Sequence, residues 1–366
     1  MKKKALATKM AAFVMAGAMT MAMGFPALAK DRTPSTVPVW KTVSVEADEA
    51  NVYAPKTTFN FKLDVPSTPT NLEFNGKTYY VKTADISHIT FVDSNGTATA
   101  TGEIAFDPAT DEFTKSKTGL GIEVDFGGIY TEKGAGIYQY TVKEVEPATK
   151  YKGMEYDDST YNIYVFVYED ETPDAIVVEK DGKILGDTES NTKFEKVEFV
   201  NDYTVHTLTI TKTVTGNQGE MNRGFDFTFT VTGDETGEKF RWVVYDKDGE
   251  AVTTNNGYGE VGTVTTVPLK SGESVKIYGL SSGDHYTVKE ADYTKNDGYT
   301  TKVDNEVVAE NKKEGTITAD TTVAYENNRG ITTPTGIVTE YAPYILLVAA
   351  AGAFAVLFLR RKKEEF

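Results

Sequence analysis

A short stretch of the chain occurs twice. YTVKEVE at residues 140–146 returns as YTVKEAD at residues 286–292. Each copy is preceded by a strand-like segment that contains one Lys, VPVWKTVSV at 37–45 and LTITKTVTG at 208–216. Self-similarity of this kind is typical of a duplicated structural unit. We therefore predict two homologous domains, residues 30–202 and residues 203–330.

Both predicted domains have the residue usage of β-strands. Thr, Val and aromatic residues are frequent, and runs such as YNIYVFVY (161–168) and FDFTFTV (225–231) have strand character. Asn-Gly and Asp-Gly pairs, which favour tight hairpin turns, separate such runs. These pairs are Asn75-Gly76, Asn95-Gly96, Asp181-Gly182 and Asp248-Gly249. The predicted fold class is all-β, with two tandem Ig-like β-sandwich domains.

In each predicted domain, three polar residues fall within rows of apolar side chains. Because strand side chains alternate between two faces, residues two apart share a face, and an apolar row marks the core. The first strand contributes a Lys to such a row, the repeated motif contributes a Glu, and the last strand contributes an Asn. The six residues are Lys41, Glu144 and Asn201 in the first domain and Lys212, Glu290 and Asn327 in the second.

Burial of these three residue types together has a chemical consequence. A lone buried polar group costs several kcal/mol, so the recurrence of all three in both domains indicates that they meet. Desolvation lowers the pKa of Lys and raises that of Glu, and a neutral amine is a nucleophile. The Glu can polarise the Asn amide carbonyl and shuttle protons while ammonia leaves. The prediction is a Lys–Asn isopeptide bond between first and last strands in a chain without Cys.

For any one of these positions, an ordinary strand-end residue or a buried salt bridge is the simpler interpretation. The same triad in the same order in both domains favours the bond.

Several stretches also match a known family. They are WKTVSVE, PKTTFNF, YTVKEVE, VEFVND, TITKTVTGN, YTVKEAD, YENNRG and TPTG. Through them the sequence resembles, over essentially its whole length, the streptococcal T-antigen type backbone pilins, the FctA-like family with two tandem Ig-like (CnaB-like) domains. The family's intramolecular bonds fall on the six residues above. The implied pairs are Lys41 with Asn201, assisted by Glu144, and Lys212 with Asn327, assisted by Glu290.

The first 29 residues have the pattern of a secretory signal peptide. Four Lys within positions 1–9 form a positive region, residues 10–25 carry no charge, and Ala27-Leu28-Ala29 is an A-x-A cleavage site. We expect export, with cleavage after Ala29.

The C-terminal segment 331–366 has the three parts of a cell-wall sorting signal. TTPTG at 332–336 is followed by an uncharged run at 341–359, long enough to span a bilayer, and then by RRKK. The pentapeptide departs from LPxTG because Leu is absent and Pro lies one place later. The resemblance implies that a sortase recognises Pro334, Thr335 and Gly336 and cleaves after Thr335. An ordinary membrane anchor is the alternative.

Polymerisation requires a surface Lys on the neighbouring subunit. In the family this Lys lies just before the last strand of the first domain, where NTKFEKVEFVN offers Lys193 and Lys196. Lys193 is preferred, because Lys196 is close enough to the predicted last strand to form part of it. Two solvated surface lysines are an equally simple interpretation.

The composition limits the remaining function classes. A net charge of −16 argues against a nucleic-acid partner. The scattered residues His88, His206 and His285 lack metal-ligand spacing, so no metal or other cofactor is expected, nor enzymatic activity beyond autocatalytic bond formation.

The predicted function is a backbone pilin of a Gram-positive cell-surface pilus (fimbrium). Its expected partners are class C and housekeeping sortases, identical subunits, an accessory tip pilin, and peptidoglycan directly or through a base pilin. The membrane is a partner only of the precursor. A wall-anchored adhesin or minor pilin that is not polymerised is the main alternative, and a surface glycosidase is a second.

Overall fold

The computed structural model describes residues 32, 35–46, 49–74, 77–99, 101–170, 174–185, 196–233 and 237–330, and positions 344, 346–348, 350 and 351. The predicted signal peptide, the sortase pentapeptide, Lys193 and most of the 341–359 segment lie outside the described residues. None of the helices within the described residues combines the length and apolar character that a membrane span requires.

The first domain is a sandwich of two sheets. Its strands, in chain order, are β1 (Ser35–Ser44), β2 (Thr57–Asp64), β3 (Leu72–Phe74), β4 (Lys77–Tyr79), β5 (Ile89–Asp93), β6 (Ala98–Thr99), β7 (Gly102–Phe106), β8 (Ser116–Val124), β9 (Gly136–Val145), β10 (Met154–Glu155), β11 (Thr160–Val167), β12 (Ala175–Lys180), β13 (Lys183–Ile184) and β14 (Val197–Tyr203). Over the described residues, the sheets have the orders β10-β14-β1-β8-β5-β6 and β13-β12-β11-β9-β2-β7. The hairpin β3-β4 and the helix α1 (Phe126–Lys133) are additions to this sandwich.

The second domain repeats the arrangement with fewer strands. They are β15 (His206–Thr215), β16 (Phe225–Thr232), β17 (Lys239–Tyr245), β18 (Ala251–Glu260), β19 (Val264–Leu269), β20 (Ser274–Leu280), β21 (His285–Glu290), β22 (Thr300–Val303), β23 (Lys312–Thr316) and β24 (Thr321–Asn328). In the part of the chain that the structure describes, they form sheets of order β18-β17-β20-β15-β24-β22 and β19-β16-β21-β23. A short helix α2 (Thr294–Asp297) precedes β22.

First and last strands of each domain are parallel neighbours. In the first domain β1 pairs with β14, and Lys41 lies opposite Phe199 in the register. In the second domain β15 pairs with β24, and Lys212 lies opposite Tyr325. Both Lys residues thus pair with the residue two places before the Asn of the last strand. Because residues two apart share a face, Lys and Asn point into the same core.

Alternation produces both cores as expected from the sequence. Side chains such as Val39, Phe199 and Tyr140 are buried between the two sheets of the first domain. Ile210 and Phe227 occupy the corresponding space in the second. The predicted turn at Asp181-Gly182 is also confirmed, since both residues have positive φ and join the antiparallel strands β12 and β13.

A buried polar contact joins the two domains. Glu238 is 4 % exposed, and its Oε1 accepts hydrogen bonds from the hydroxyl groups of Tyr151 (2.8 Å) and Tyr203 (3.2 Å). The Tyr203 hydroxyl also lies 3.3 Å from Ser281 Oγ. These contacts connect Tyr203, at the end of β14, to the second domain. β15 begins three residues later, at His206.

Candidate functional site: two buried Lys–Glu–Asn triads

In the first domain the predicted triad is assembled in the core. Glu144 bridges its two partners: Oε2 accepts from Lys41 Nζ at 2.9 Å and Oε1 accepts from Asn201 Nδ2 at 2.9 Å. Lys41 and Asn201 are fully buried, and Glu144 is 7 % exposed. The structure therefore brings together three residues that are far apart in the sequence.

The fold explains how they meet. Lys41 and Asn201 lie on the adjacent parallel strands β1 and β14 of one sheet. Glu144 lies on β9, in the middle of the facing sheet, where Tyr140 and Val142 of the same row are also buried. The triad consequently spans the sandwich from one sheet to the other.

The second domain repeats the triad on equivalent strands. Lys212 and Asn327 lie on the adjacent parallel strands β15 and β24, and Glu290 lies on β21 in the facing sheet. Glu290 Oε1 accepts from Asn327 Nδ2 at 2.9 Å. The same oxygen lies 2.7 Å from Lys212 Nζ as an ion pair, at an angle outside hydrogen-bond geometry. All three side chains are at most 1 % exposed.

Aromatic rings cover both amines. Lys41 Nζ lies 4.7 Å from the centre of the Phe59 ring, and Lys212 Nζ lies 4.5 Å from that of Phe225. The Phe227 ring is 5.8 Å from the same Lys212 atom. These rings keep the amines in apolar surroundings, away from solvent.

Burial shifts the pKa values of both acid–amine pairs toward the neutral forms. Desolvation lowers the pKa of Lys41 and raises the pKa of Glu144, against the opposing attraction between their charges. In the second domain desolvation lowers the pKa of Lys212 to about 8 and raises the pKa of Glu290. A neutral amine beside a protonated carboxyl is therefore favoured more strongly here than in water.

The contacts of the Asn side chains differ from the sequence-based expectation in one respect. We expected the Glu to polarise the amide carbonyl, but Glu144 and Glu290 contact the amide nitrogen. An ionised carboxylate is acceptor-only, which explains why it faces the NH₂ group. In the first domain, the carbonyl oxygen of Asn201 accepts instead from the backbone N–H of Asp157, at 2.8 Å.

In the second domain, the carbonyl oxygen of Asn327 accepts from the hydroxyl of Thr301, at 2.7 Å. The sequence analysis did not select Thr301, although its place in an alternating row of apolar residues could have indicated it. Tyr299, Thr301 and Val303 alternate along one buried row, so the test that selected Lys212 also selects Thr301. A backbone donor such as the Asp157 N–H leaves no such signal.

The remaining predicted site residues lie elsewhere. Lys196 directly precedes β14; its Nζ lies 2.7 Å from Glu198 Oε2 and 4.9 Å from the centre of the Trp40 ring. Lys193, Pro334, Thr335 and Gly336 lie outside the described residues. Among the residues that the structure describes, no group of three or more His, Cys, Asp and Glu side chains could hold a metal ion.

Family models match both domains. Residues 39–204 match the model of the Spy0128-like isopeptide containing domain, FctA. Residues 206–329 match a domain of unknown function, DUF7601. The two matches meet between β14 and β15.

Individual relatives agree with this assignment. A pilin of Streptococcus pyogenes serotype M1 is 28 % identical over 343 residues, which cover 88 % of this chain and 89 % of the relative. The pilus tip adhesin Cpa of Streptococcus pyogenes is 32 % identical over 142 residues, covering 37 % of this chain and 18 % of the adhesin.

The crystal structure of the major pilin from Streptococcus pyogenes superposes with a TM-score of 0.54 at 25 % identity. The match covers 81 % of this chain and 99 % of that one. The similarity thus extends over both domains of a major pilin, whereas it reaches only a small part of the tip adhesin. Residues 39–204 accordingly belong to the FctA isopeptide-domain family, and the similarity of the chain to streptococcal major pilins over both domains supports a backbone pilin.

Proposed function

We propose that both triads form Lys–Asn isopeptide bonds, and that sortases then link the internally tied subunits into a fibre. The observation that carries the first part is the repetition of one buried geometry, with a Glu carboxylate between a Lys amine and an Asn amide in each domain. The neutral amine attacks the amide carbon and a C–N bond forms. The Glu carboxyl carries a proton from the amine to the departing nitrogen, which leaves as ammonia.

Replacing Glu144 by Gln tests the role of the proton shuttle. Gln keeps the size and one acceptor oxygen but cannot carry the proton. We therefore expect the Lys41–Asn201 bond to be lost while the Lys212–Asn327 bond still forms. Mass spectrometry of a proteolytic digest measures the two cross-linked peptides separately. Glu146→Gln is the matched control, because this nearby carboxylate is exposed and pairs with Lys150 on the surface. A complete Lys41–Asn201 bond in Glu144→Gln would contradict the assigned role.

The second part of the proposal concerns assembly. A sortase cleaves after Thr335 and transfers the Thr335 carboxyl group to Lys193 or Lys196 of the next subunit. Such head-to-tail contacts do not close into a ring, so they produce an open fibre. The chain is a sortase substrate in this reaction. The only reactions it performs itself are its two internal bonds, without a cofactor.

The internal bond of the second domain lies on the path of tension along such a fibre. Force enters this domain through β15 and leaves through β24 toward Thr335. Because Lys212 lies on β15 and Asn327 on β24, the bond connects these strands directly. The strands between them then carry no load, which suits a shaft that must resist extension.

Attachment to the cell wall completes the proposal. A housekeeping sortase joins the finished fibre to peptidoglycan, directly or through a base pilin, and the membrane holds only the precursor. A tip pilin occupies the other end. An immunoblot of wall extracts from the producing bacterium tests assembly, with a ladder of high-mass bands expected. One band at the monomer mass would support the alternative of an adhesin or minor pilin that is not polymerised.

A further inference from the structure

The carbonyl oxygens of the two reactive Asn side chains each have a hydrogen-bond donor that is separate from the triad. When the amine adds to the amide carbon, this oxygen becomes an oxyanion before ammonia leaves. Glu144 and Glu290 contact the amide nitrogen, and they remain acceptors while ionised. In each domain, the group that already donates to this carbonyl oxygen is therefore the one placed to stabilise the oxyanion.

In the second domain that group is the Thr301 hydroxyl. Its Oγ1 lies 2.7 Å from Asn327 Oδ1, and the residue is 4 % exposed. Thr301 is also the direct register partner of Asn327 in the antiparallel pair β22-β24, so the strand pairing fixes its position. The other contact of the hydroxyl, to Glu290 Oε2, is longer at 3.4 Å. The short contact is the one to the carbonyl oxygen.

The first domain places a different donor at the equivalent position. β10 pairs with β14 as β22 pairs with β24: antiparallel, and on the side of the last strand away from the first strand. Just after β10, the backbone N–H of Asp157 lies 2.8 Å from Asn201 Oδ1. The Asp157 carboxylate holds this turn in place by accepting from the backbone N–H groups of Ser159 and Val200. Two unlike donors at one place in the fold indicate a shared chemical requirement.

We infer that Thr301 is a catalytic residue of the second domain, which donates a hydrogen bond to the oxyanion formed when Lys212 attacks Asn327. This inference rests on the proposed isopeptide function. The Lys212 Nζ–Asn327 Cγ bond forms, and the carbonyl electron pair moves to Oδ1, where the Thr301 hydroxyl stabilises it. The pair then returns as the bond from Cγ to Nδ2 breaks. Glu290 takes one proton from the attacking amine and delivers one to Nδ2, which leaves as ammonia. The Asp157 N–H has the same role in the first domain.

A comparison of Thr301→Ser with Thr301→Ala isolates the hydroxyl group, since these two variants differ only in that group. The wild-type protein and each variant are made by cell-free synthesis as residues 30–335, the chain between the predicted signal peptide and the predicted sortase cleavage point. Samples are quenched in acid at intervals after translation stops, and the Lys212–Asn327 cross-linked peptide is quantified by mass spectrometry. Removing one such donor typically slows an acyl transfer by about 100-fold or more, so we expect this loss in Thr301→Ala and near wild-type rates in Thr301→Ser.

The Lys41–Asn201 bond in the same molecules is the internal control and should form at the wild-type rate in every variant. Thr300→Val, at the exposed neighbouring position, should leave both bonds unaffected. Equal rates for Ser and Ala at position 301 would overturn the inference while leaving the proposed function intact. Absence of both bonds from the wild-type protein would overturn the proposed function itself. Amide dispersion in NMR spectra shows that the second domain is folded before the two rates are compared.

Discussion

We expect Asn327→Ala to lower the free energy of unfolding of the second domain by about 5 kcal/mol, because the proposed Lys212–Asn327 bond can no longer form. A cross-link that closes a loop of roughly 100 residues removes about 4–5 kcal/mol of chain entropy from the unfolded state in the loop-closure model. The variant also leaves Glu290 and Thr301 without their contacts to the Asn amide. Differential scanning calorimetry should show the transition of the second domain lowered by roughly 10–20 °C.

Asn328→Ala is the matched control for this experiment. Asn328 follows Asn327 on β24, but its side chain is exposed and contacts Thr215 on the surface. Surface substitutions of this kind usually change stability by only about 0.5 kcal/mol. If Asn327→Ala lowered the transition no more than Asn328→Ala does, the second domain would not be held by a covalent bond.

We expect Lys193→Arg to remove the high-mass ladder from wall extracts and Lys196→Arg to leave it in place. Arg keeps the positive charge but cannot resolve the acyl-enzyme as an amine does. Lys193 is the expected acceptor because the Lys196 amine is already engaged with Glu198 and the Trp40 ring, immediately before β14. The measurement is an immunoblot of wall extracts from bacteria that express each variant.

The reverse pattern, with the ladder lost only in Lys196→Arg, would assign the intersubunit bond to Lys196. A ladder that persists in the double Lys193→Arg and Lys196→Arg variant would exclude this segment as the acceptor. The amount of monomer on the same blot shows whether each variant is exported and stable.

Alternation of faces was sufficient to find the residues of the two triads, because a Lys, Glu or Asn in a row of core positions is costly unless it is paired. Lys41 and Lys212 stand among buried Val and Ile residues on β1 and β15, and both meet the predicted partners. The parallel pairing of first and last strands could not be derived in this way, since strand patterns do not specify neighbours.

Other parts of the fold had weaker signals. The hairpin β3-β4 lies on the outer face of the second sheet, where Leu72 and Val81 pack against Tyr164 and Val177. The run YNIYVFVY, which contains most of β11, has apolar residues on both faces. This was the indication in the sequence that both faces of the strand are covered. The Glu238 contact between the domains left no pattern, because an acidic residue in the loop segment before a strand is usually exposed.

The donors to the two Asn carbonyl oxygens, Thr301 and Asp157, show what else could not be predicted from the sequence. The Thr301 hydroxyl lies in an apolar row and could have been selected with Lys212, but Thr is common at buried strand positions and attracts little notice. The Asp157 donor is a backbone N–H, whose direction depends on the turn after β10 and not on the residue type. Contacts made by the backbone therefore become visible only in the structure.

Measurement of the intact mass of residues 30–335 tests the two internal bonds most directly. We predict a mass below that of the sequence by two molecules of ammonia. Lys41→Ala and Lys212→Ala should each have a mass below that of their own sequence by one molecule of ammonia, and the double variant should have its full calculated mass. A wild-type protein with the full mass of its sequence would show that the amines and amides of both cores lie side by side without reacting, and would contradict the account.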